Sequence, residues 1–248
     1  MPFDDRIPVI DLAADFWSLR YVEETSESFA VRKNVAQPFS ASTDRGVMAT
    51  VYANGGYGYA ATGDVSLEGV REALARALRW ARATSARSMI DSRSLPRPTP
   101  RGTYASPGLD EPAAGRRVWF DLLMGESQAA AIDPRIVDWE ASVEVRRATH
   151  RLVTSAGGDV TQRYRYLLPG LSVSAHANGD TQTRSLNGYR GICQQGGSEV
   201  LARFGFEGAA RRLAEEAIEL VLAPNCPSGN MDVLLAPEQM IMQIHESI

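Results

Sequence analysis

The chain has 248 residues, 44% hydrophobic and 23% charged, an ordinary composition for one large or two modest folded domains with a sizeable core. Its net charge of −4 offers no general attraction to nucleic acid or to an anionic membrane surface. No run approaches the ~18 apolar residues of a membrane-spanning helix, and two cysteines, Cys193 and Cys226, are too few for a disulfide framework. The opening "MPFDDRIPVI" has no basic segment followed by an apolar one, so no secretory signal is expected and the chain reads as cytoplasmic.

From Phe16 the pattern is strand-like, with "LRYVEE" and "SFAVRKN" expected as two short strands. Residues 46–62, "GVMATVYANGGYGYAAT", place two β-rich runs around Asn54-Gly55-Gly56, a strong hairpin signal. A helix follows, with Ser66 as its N-cap and Leu67, Val70, Leu74, Leu78 and Ala81 on one stripe. Residues 91–115 carry five prolines and three glycines and are expected to form a surface loop. Another helix is expected from Val118 to about Ala131, then a turn at Asp133-Pro134.

Residues 139–191 return to alternation, with turn signals at 156–158, Pro169-Gly170 and 178–180, as in an antiparallel meander with one wet face. A helix over about 207–222 closes this second pass of sheet then helix. "APNCPSG" breaks the chain, "NMDVLLAP" reads as a buried strand, and Pro237 suits the first position of a last helix. On that helix Ile241, Ile244 and Ile248 fall at helical spacing, and His245-Glu246 lie on its third turn. The fold class expected is α+β: antiparallel sheets with amphipathic helices packed on them.

"LRYVEET", "GVMATVYANGGYGYAATGDVS", "SLNGYRG" and above all "MDVLLAPEQMIMQIHESI" resemble the TldD/PmbA family of zinc metallopeptidases, once named modulator of DNA gyrase. The resemblance runs from about Phe16 to the last residue and covers about the N-terminal half of a full family member. It implies an N-terminal α+β domain over 1–225 and the start of a metallopeptidase domain over 226–248. The family motif is H-E-x-x-x-H, with a Cys ligand far downstream. Carried over residue by residue, it makes His245 a zinc ligand and Glu246 the general base, and the second His would fall at position 250. Cys193 and Cys226 lie upstream of the motif and do not match the family's Cys ligand. An intact His-Glu pair points to the TldD-like branch. The resemblance further implies cleavage of small or unfolded peptides, and a homodimer or a heterodimer with a PmbA-like subunit. This stretch alone is then expected to be inactive.

Plainer readings stand beside these. His-Glu on an amphipathic helix is by itself a weak signal, and His245 could be a surface histidine with an ordinary hydrogen bond. A five-residue His spacing turns about 140° round a regular helix, so the helix is expected to be irregular past Ile248. His150, His176, Cys193 and Cys226 match no known ligand spacing. Ring packing across strands accounts for Tyr52, Tyr57 and Tyr59 better than ligand stacking does. The glycines at 55, 56 and 58 lack the Lys and Ser/Thr of a phosphate loop. A non-catalytic module that holds an extended peptide or a partner subunit is the alternative function; direct DNA contact finds no basic stripe to support it.

Overall fold

Asn54 and Gly55 take φ values of 54° and 80°, the left-handed pair that a tight hairpin requires, and there the chain reverses. The hairpin joins strands β3 (Ser40–Ala53) and β4 (Gly56–Thr62), paired antiparallel from Val47↔Thr62 to Ala53↔Gly56. The computed structural model describes residues 12–247, except 98, 113, 189 and 190 and the side chain of residue 238. Part of "SLNGYRG" and Ile248, with the expected irregularity past it, therefore lie outside the described residues. The class is α+β, as expected.

The chain divides into two compact units. The first takes in residues up to 26, 42–109 and 146–165. Its strands follow the order β4-β3-β1-β6-β7-β5, drawing on β1 (Phe16–Arg32), β5 (Arg101–Ala105), β6 (Ile136–Thr154) and β7 (Asp159–Ala177). Helix α1 (Leu67–Thr84) starts where expected: the Ser66 hydroxyl accepts from the Gly69 N–H at 3.2 Å. Its Val70, Ala73, Leu74, Ala77 and Ala81 are buried against Leu19, Val47, Ala49 and Val51 of β1 and β3. Each large aliphatic side chain removed from water there contributes roughly 1.5–3 kcal/mol. Gly58 of β4 lies so close under α1 that a Cβ would run into the Ala77 carbonyl.

The second unit takes in 27–41, 110–145 and 166 onward. Here β1 pairs with β2 (Val35–Ala36), and β7 with β8 (Asp180–Ser185) and β9 (Gln194–Gln195). Helices α2 (Arg116–Ala130), α3 (Glu199–Arg203) and α4 (Ala209–Leu222) close a core that includes Phe29, Val31, Trp119, Leu123, Phe206 and Leu213. Helix α4 begins at Gly208, which has no side chain to cap it. The buried carboxylate of Glu126, on α2, accepts instead from the N–H groups of Gly208 and Ala210.

Four local expectations change. "LRYVEE" and the first five residues of "SFAVRKN" are one strand, β1, because residues 16–32 contain no Gly or Pro to break it, and Lys33-Asn34, at φ 51° and 61°, form the turn that follows. The Pro-rich stretch contains a strand: "RGTYA", between Pro100 and Pro107, forms β5 and pairs parallel with Asp159 to Arg163. Pro169-Gly170 is not a turn but the middle of β7. Leu171, of the same parity as Pro169, turns its carbonyl to Leu186 on the β8 side. The missing N–H of Pro169 thus faces the gap between β9, at 166–167, and β8, at 172–177, where no ladder bond is lost. Finally, "NMDVLLAP" is neither strand nor buried: residues 231–236 carry no regular secondary structure and are exposed, with no partner strand among the described residues.

Candidate functional site

Helix α5 (Pro237–His245) carries the expected pair. Pro237 sits at its N-terminus, where a missing N–H costs nothing, and Ala236 before it is extended with ψ 159°. His245 is the last helical residue and Glu246 the C-cap, still helical at φ −83°, ψ −8°. The Glu246 N–H donates to the Met242 carbonyl at 3.0 Å. The Ser247 hydroxyl donates to the Gln243 carbonyl at 2.6 Å and accepts from the Gln243 amide at 3.1 Å, which fastens the last turn.

His245 and Glu246, adjacent in sequence, project about 100° apart. Both are exposed, and neither side chain is hydrogen-bonded among the described residues. The whole segment around them is open, for every described side chain from 222 to 247 is exposed.

A tetrahedral zinc site with an open position needs three protein donors. Among the described residues no group of three or more His, Cys, Asp and Glu side chains is placed to hold a metal ion. The donors present therefore do not by themselves fit a bound zinc; the His245-Glu246 pair brings one imidazole and one carboxylate. The other candidates have their own settings. Cys193 and Cys226 are exposed free thiols. The His176 ring pairs with the Thr181 hydroxyl at 2.8 Å across β7 and β8. His150 sits edge-on to the Tyr164 ring at 5.4 Å; burial pushes its pKa below the ordinary imidazole value, Arg20 adds to that, and Glu24 opposes it.

The glycine hairpin is as much an aromatic feature as a turn. Phe16, Tyr52, Tyr57 and Tyr59 form a ladder with ring centroids 5.3, 5.6 and 6.0 Å apart, so ring packing, across strands up to Tyr57 and along β4 from Tyr57 to Tyr59, is what the tyrosines do. The Arg97 guanidinium lies over Phe16 and Tyr52, at 5.3 and 4.8 Å from their centroids. Beyond it Tyr57 and Tyr59 are open and join Gly58, Trp80 and Thr84 in lining a cleft of about 390 Å³. Sequence reasoning passed over Trp80. The signal available was its position off the apolar stripe of α1, where a helix facing only its own sheet has no use for an indole.

Comparison with known proteins places these elements. Residues 17–81 match the first domain of the PmbA/TldA metallopeptidases. A metalloprotease of Methanothermobacter thermautotrophicus is 23% identical over all 248 residues. The chain spans about half of that relative's length, 51%. Among solved structures, a protein described as a modulator of DNA gyrase from Thermotoga maritima superposes with TM-score 0.61 at 15% identity, over 86% of this chain and 46% of its own. A second protein so described, from Bacteroides thetaiotaomicron, gives 0.59 at 12%, over 85% and 46%. TldE of Thermococcus kodakarensis gives 0.54 at 14%, over 84% and 44%. At these identities the structural likeness shows a shared fold.

Proposed function

From the premise that residues 17–81 are a first domain of the PmbA/TldD metallopeptidase family, we propose that the chain is the N-terminal part of a TldD-like zinc peptidase acting on small or unfolded peptides. The observation that carries this reading is the alignment with a metalloprotease, which runs through all 248 residues and so includes α5. In this reading residues 1–225 are the N-terminal domain and 226–248 open the peptidase domain. His245 is one metal ligand and Glu246 the general base, with the remaining donors supplied from outside these 248 residues. The stretch alone is inactive. The working unit is a cytoplasmic homodimer, or a heterodimer with a PmbA-like subunit.

The test compares two proteins on an unstructured peptide in the presence of zinc. The 248-residue chain is expected to show no cleavage. A protein continuing from it to the length of the relatives is expected to cleave, and Glu246→Gln to lower its kcat by about 10²–10⁴-fold, the usual contribution of a positioned base. Undiminished cleavage in that variant would remove Glu246 from the chemistry. Cleavage by the 248-residue chain itself, abolished by the same substitution, would overturn its inactivity.

The exposure of Met231, Val233, Leu234, Leu235, Ile241 and Ile244 favours a second reading, an assembly module that covers this segment with a partner subunit. Zinc-independent capture of a purified PmbA-like subunit by the 248-residue chain, lost on replacing these side chains with Ser, supports that reading.

A further inference from the structure

The face of the first unit's sheet that α1 leaves open carries a second cleft, of about 410 Å³, over β1 and β3 and bordered by Ala61 and Thr62 of β4. Leu19, Tyr21, Val47 and Ala49 are buried toward α1, so the residues that alternate with them share the opposite face. The Ser26 and Ser42 hydroxyls meet at 3.0 Å, and the Phe16 and Tyr52 rings stack at 5.3 Å. These two contacts set β1 antiparallel to β3, with Glu24 beside Asp44, Val22 beside Gly46 and Arg20 beside Met48. Val22 and Gly46, which has no side chain, make a low floor between two taller rows.

The rows carry opposite charge. Glu24 and Asp44 stand side by side, an arrangement that costs stability in a sheet. Arg146 lies 3.5 Å from Glu24 and offsets one of the two carboxylates. Among the described residues Asp44 makes no ion pair or hydrogen bond, and neither does the Arg20 side chain. Elsewhere in this unit opposite charges do close, as Arg151 and Asp159 do at 2.9 Å. Here they are held apart, because Arg20 and Glu24 lie four residues apart on one strand, about 13 Å. Arg45 lines the cleft too, so its charged lining is two arginines and two carboxylates, neutral in sum.

That pattern discriminates among small ligands. A lone anion would lie beside carboxylates, and a lone cation beside guanidinium groups. A molecule with an ammonium at one end and a carboxylate at the other meets the opposite sign at each. A charge-assisted hydrogen bond of about 2.8 Å at either end leaves about 7 Å between the ligand's charges, the length of two extended residues.

We propose that this cleft binds a small zwitterion whose charges lie about 7 Å apart, its ammonium on Glu24 and Asp44 and its carboxylate on Arg20. An extended dipeptide with both termini free and a straight ω-amino acid share that chemistry. Val22, and Met48 at 38% exposure, give an apolar ligand side chain a surface to pack on, which favours the dipeptide. Binding requires neither metal nor cleavage and is independent of the roles given to His245 and Glu246.

The test is a titration of the 15N-labelled chain with Ala-Leu, following the Gly46 backbone amide and the Arg20 Nε–H by NMR. Saturable shifts at both are expected, with half-saturation at about 1 mM. N-acetyl-Ala-Leu lacks the ammonium and Ala-Leu amide lacks the carboxylate; each is expected to bind at least about fivefold more weakly. Arg20→Gln and Asp44→Asn, both at exposed positions, are each expected to weaken Ala-Leu binding by as much. The ω-amino acid 6-aminohexanoate keeps the charge spacing without side chains. Weaker binding than Ala-Leu supports the dipeptide, and equal binding supports the charge bridge alone. No saturable shift at Gly46 up to about 10 mM, undiminished binding of either blocked peptide, or undiminished binding by both variants would each overturn the proposal.

Discussion

Gly58 shows how closely the first unit is fitted. Its missing side chain is what lets α1 lie directly on β4, with the Ala77 carbonyl in the space a Cβ would occupy. The obstruction is helix backbone, which cannot rotate aside as a flexible side chain could. Gly58→Ala must therefore push α1 away from the sheet and open the contacts of Ala77 and Ala81. The expected cost is about 3 kcal/mol, at the upper end for overpacking a well-packed site. Urea denaturation checks it, and an unchanged midpoint would mean that α1 shifts freely. Gly58 itself lines the cleft with Tyr57, Tyr59, Trp80 and Thr84, so the variant should also displace the cleft.

At the scale of elements, α4 depends on a cap supplied by its neighbour. A helix N-terminus has four N–H groups without intrahelical partners. Gly208, at φ 79°, provides the turn into α4 but no acceptor. Glu126 of α2 supplies both oxygens, so one carboxylate ties the two helices together. Glu126→Ala is expected to cost about 2 kcal/mol, the loss of a cap that leaves one buried N–H, that of Ala210, and one part-buried N–H, that of Gly208, unpaired. Native-state hydrogen exchange checks it: the Gly208 and Ala210 amides should lose protection more than the β6 amides do, and equal loss would mean global rather than local opening.

That carboxylate was not legible in the sequence, because a cap 82 residues away leaves no local pattern. The Ser66 cap was legible, since its acceptor and its donor lie within one turn of each other. The same distinction runs through the fold. The Asn54-Gly55 hairpin, α1 and Pro237 at the start of α5 follow from local backbone chemistry and were expected. The continuity of β1, the strand inside the Pro-rich stretch and the harmless Pro169 depend on which strand lies alongside, and local chemistry does not carry that. For the site, His245-Glu246 stood out as a motif, whereas the cleft lined by Tyr57, Tyr59 and Trp80 exists only because a helix and a strand lie side by side.

At the scale of the whole molecule, the packed core ends before the motif begins. Among the described residues the last buried one is Val221 of α4. From 222 to 247 every described side chain is exposed, including Leu234 at 98% and Val233 at 72%. A helix whose described side chains are all exposed gains little from nine residues of backbone bonding, since isolated helices shorter than ~12–15 residues are marginal in water. The apolar row of the segment therefore contributes nothing to folding the rest of this chain, and in water it favours association. A chain ending at residue 223 is expected to unfold in urea within about 0.5 kcal/mol of the 248-residue chain, the range of surface changes that touch no packed group. It is also expected to stay dispersed at concentrations where the longer chain self-associates, read by light scattering. A loss above about 1 kcal/mol would mean that 224–248 docks on the second unit after all, and the exposure of His245 and Glu246 would have to be re-examined. An unchanged midpoint with reduced association would leave this segment a surface for binding, free to be completed from outside the core.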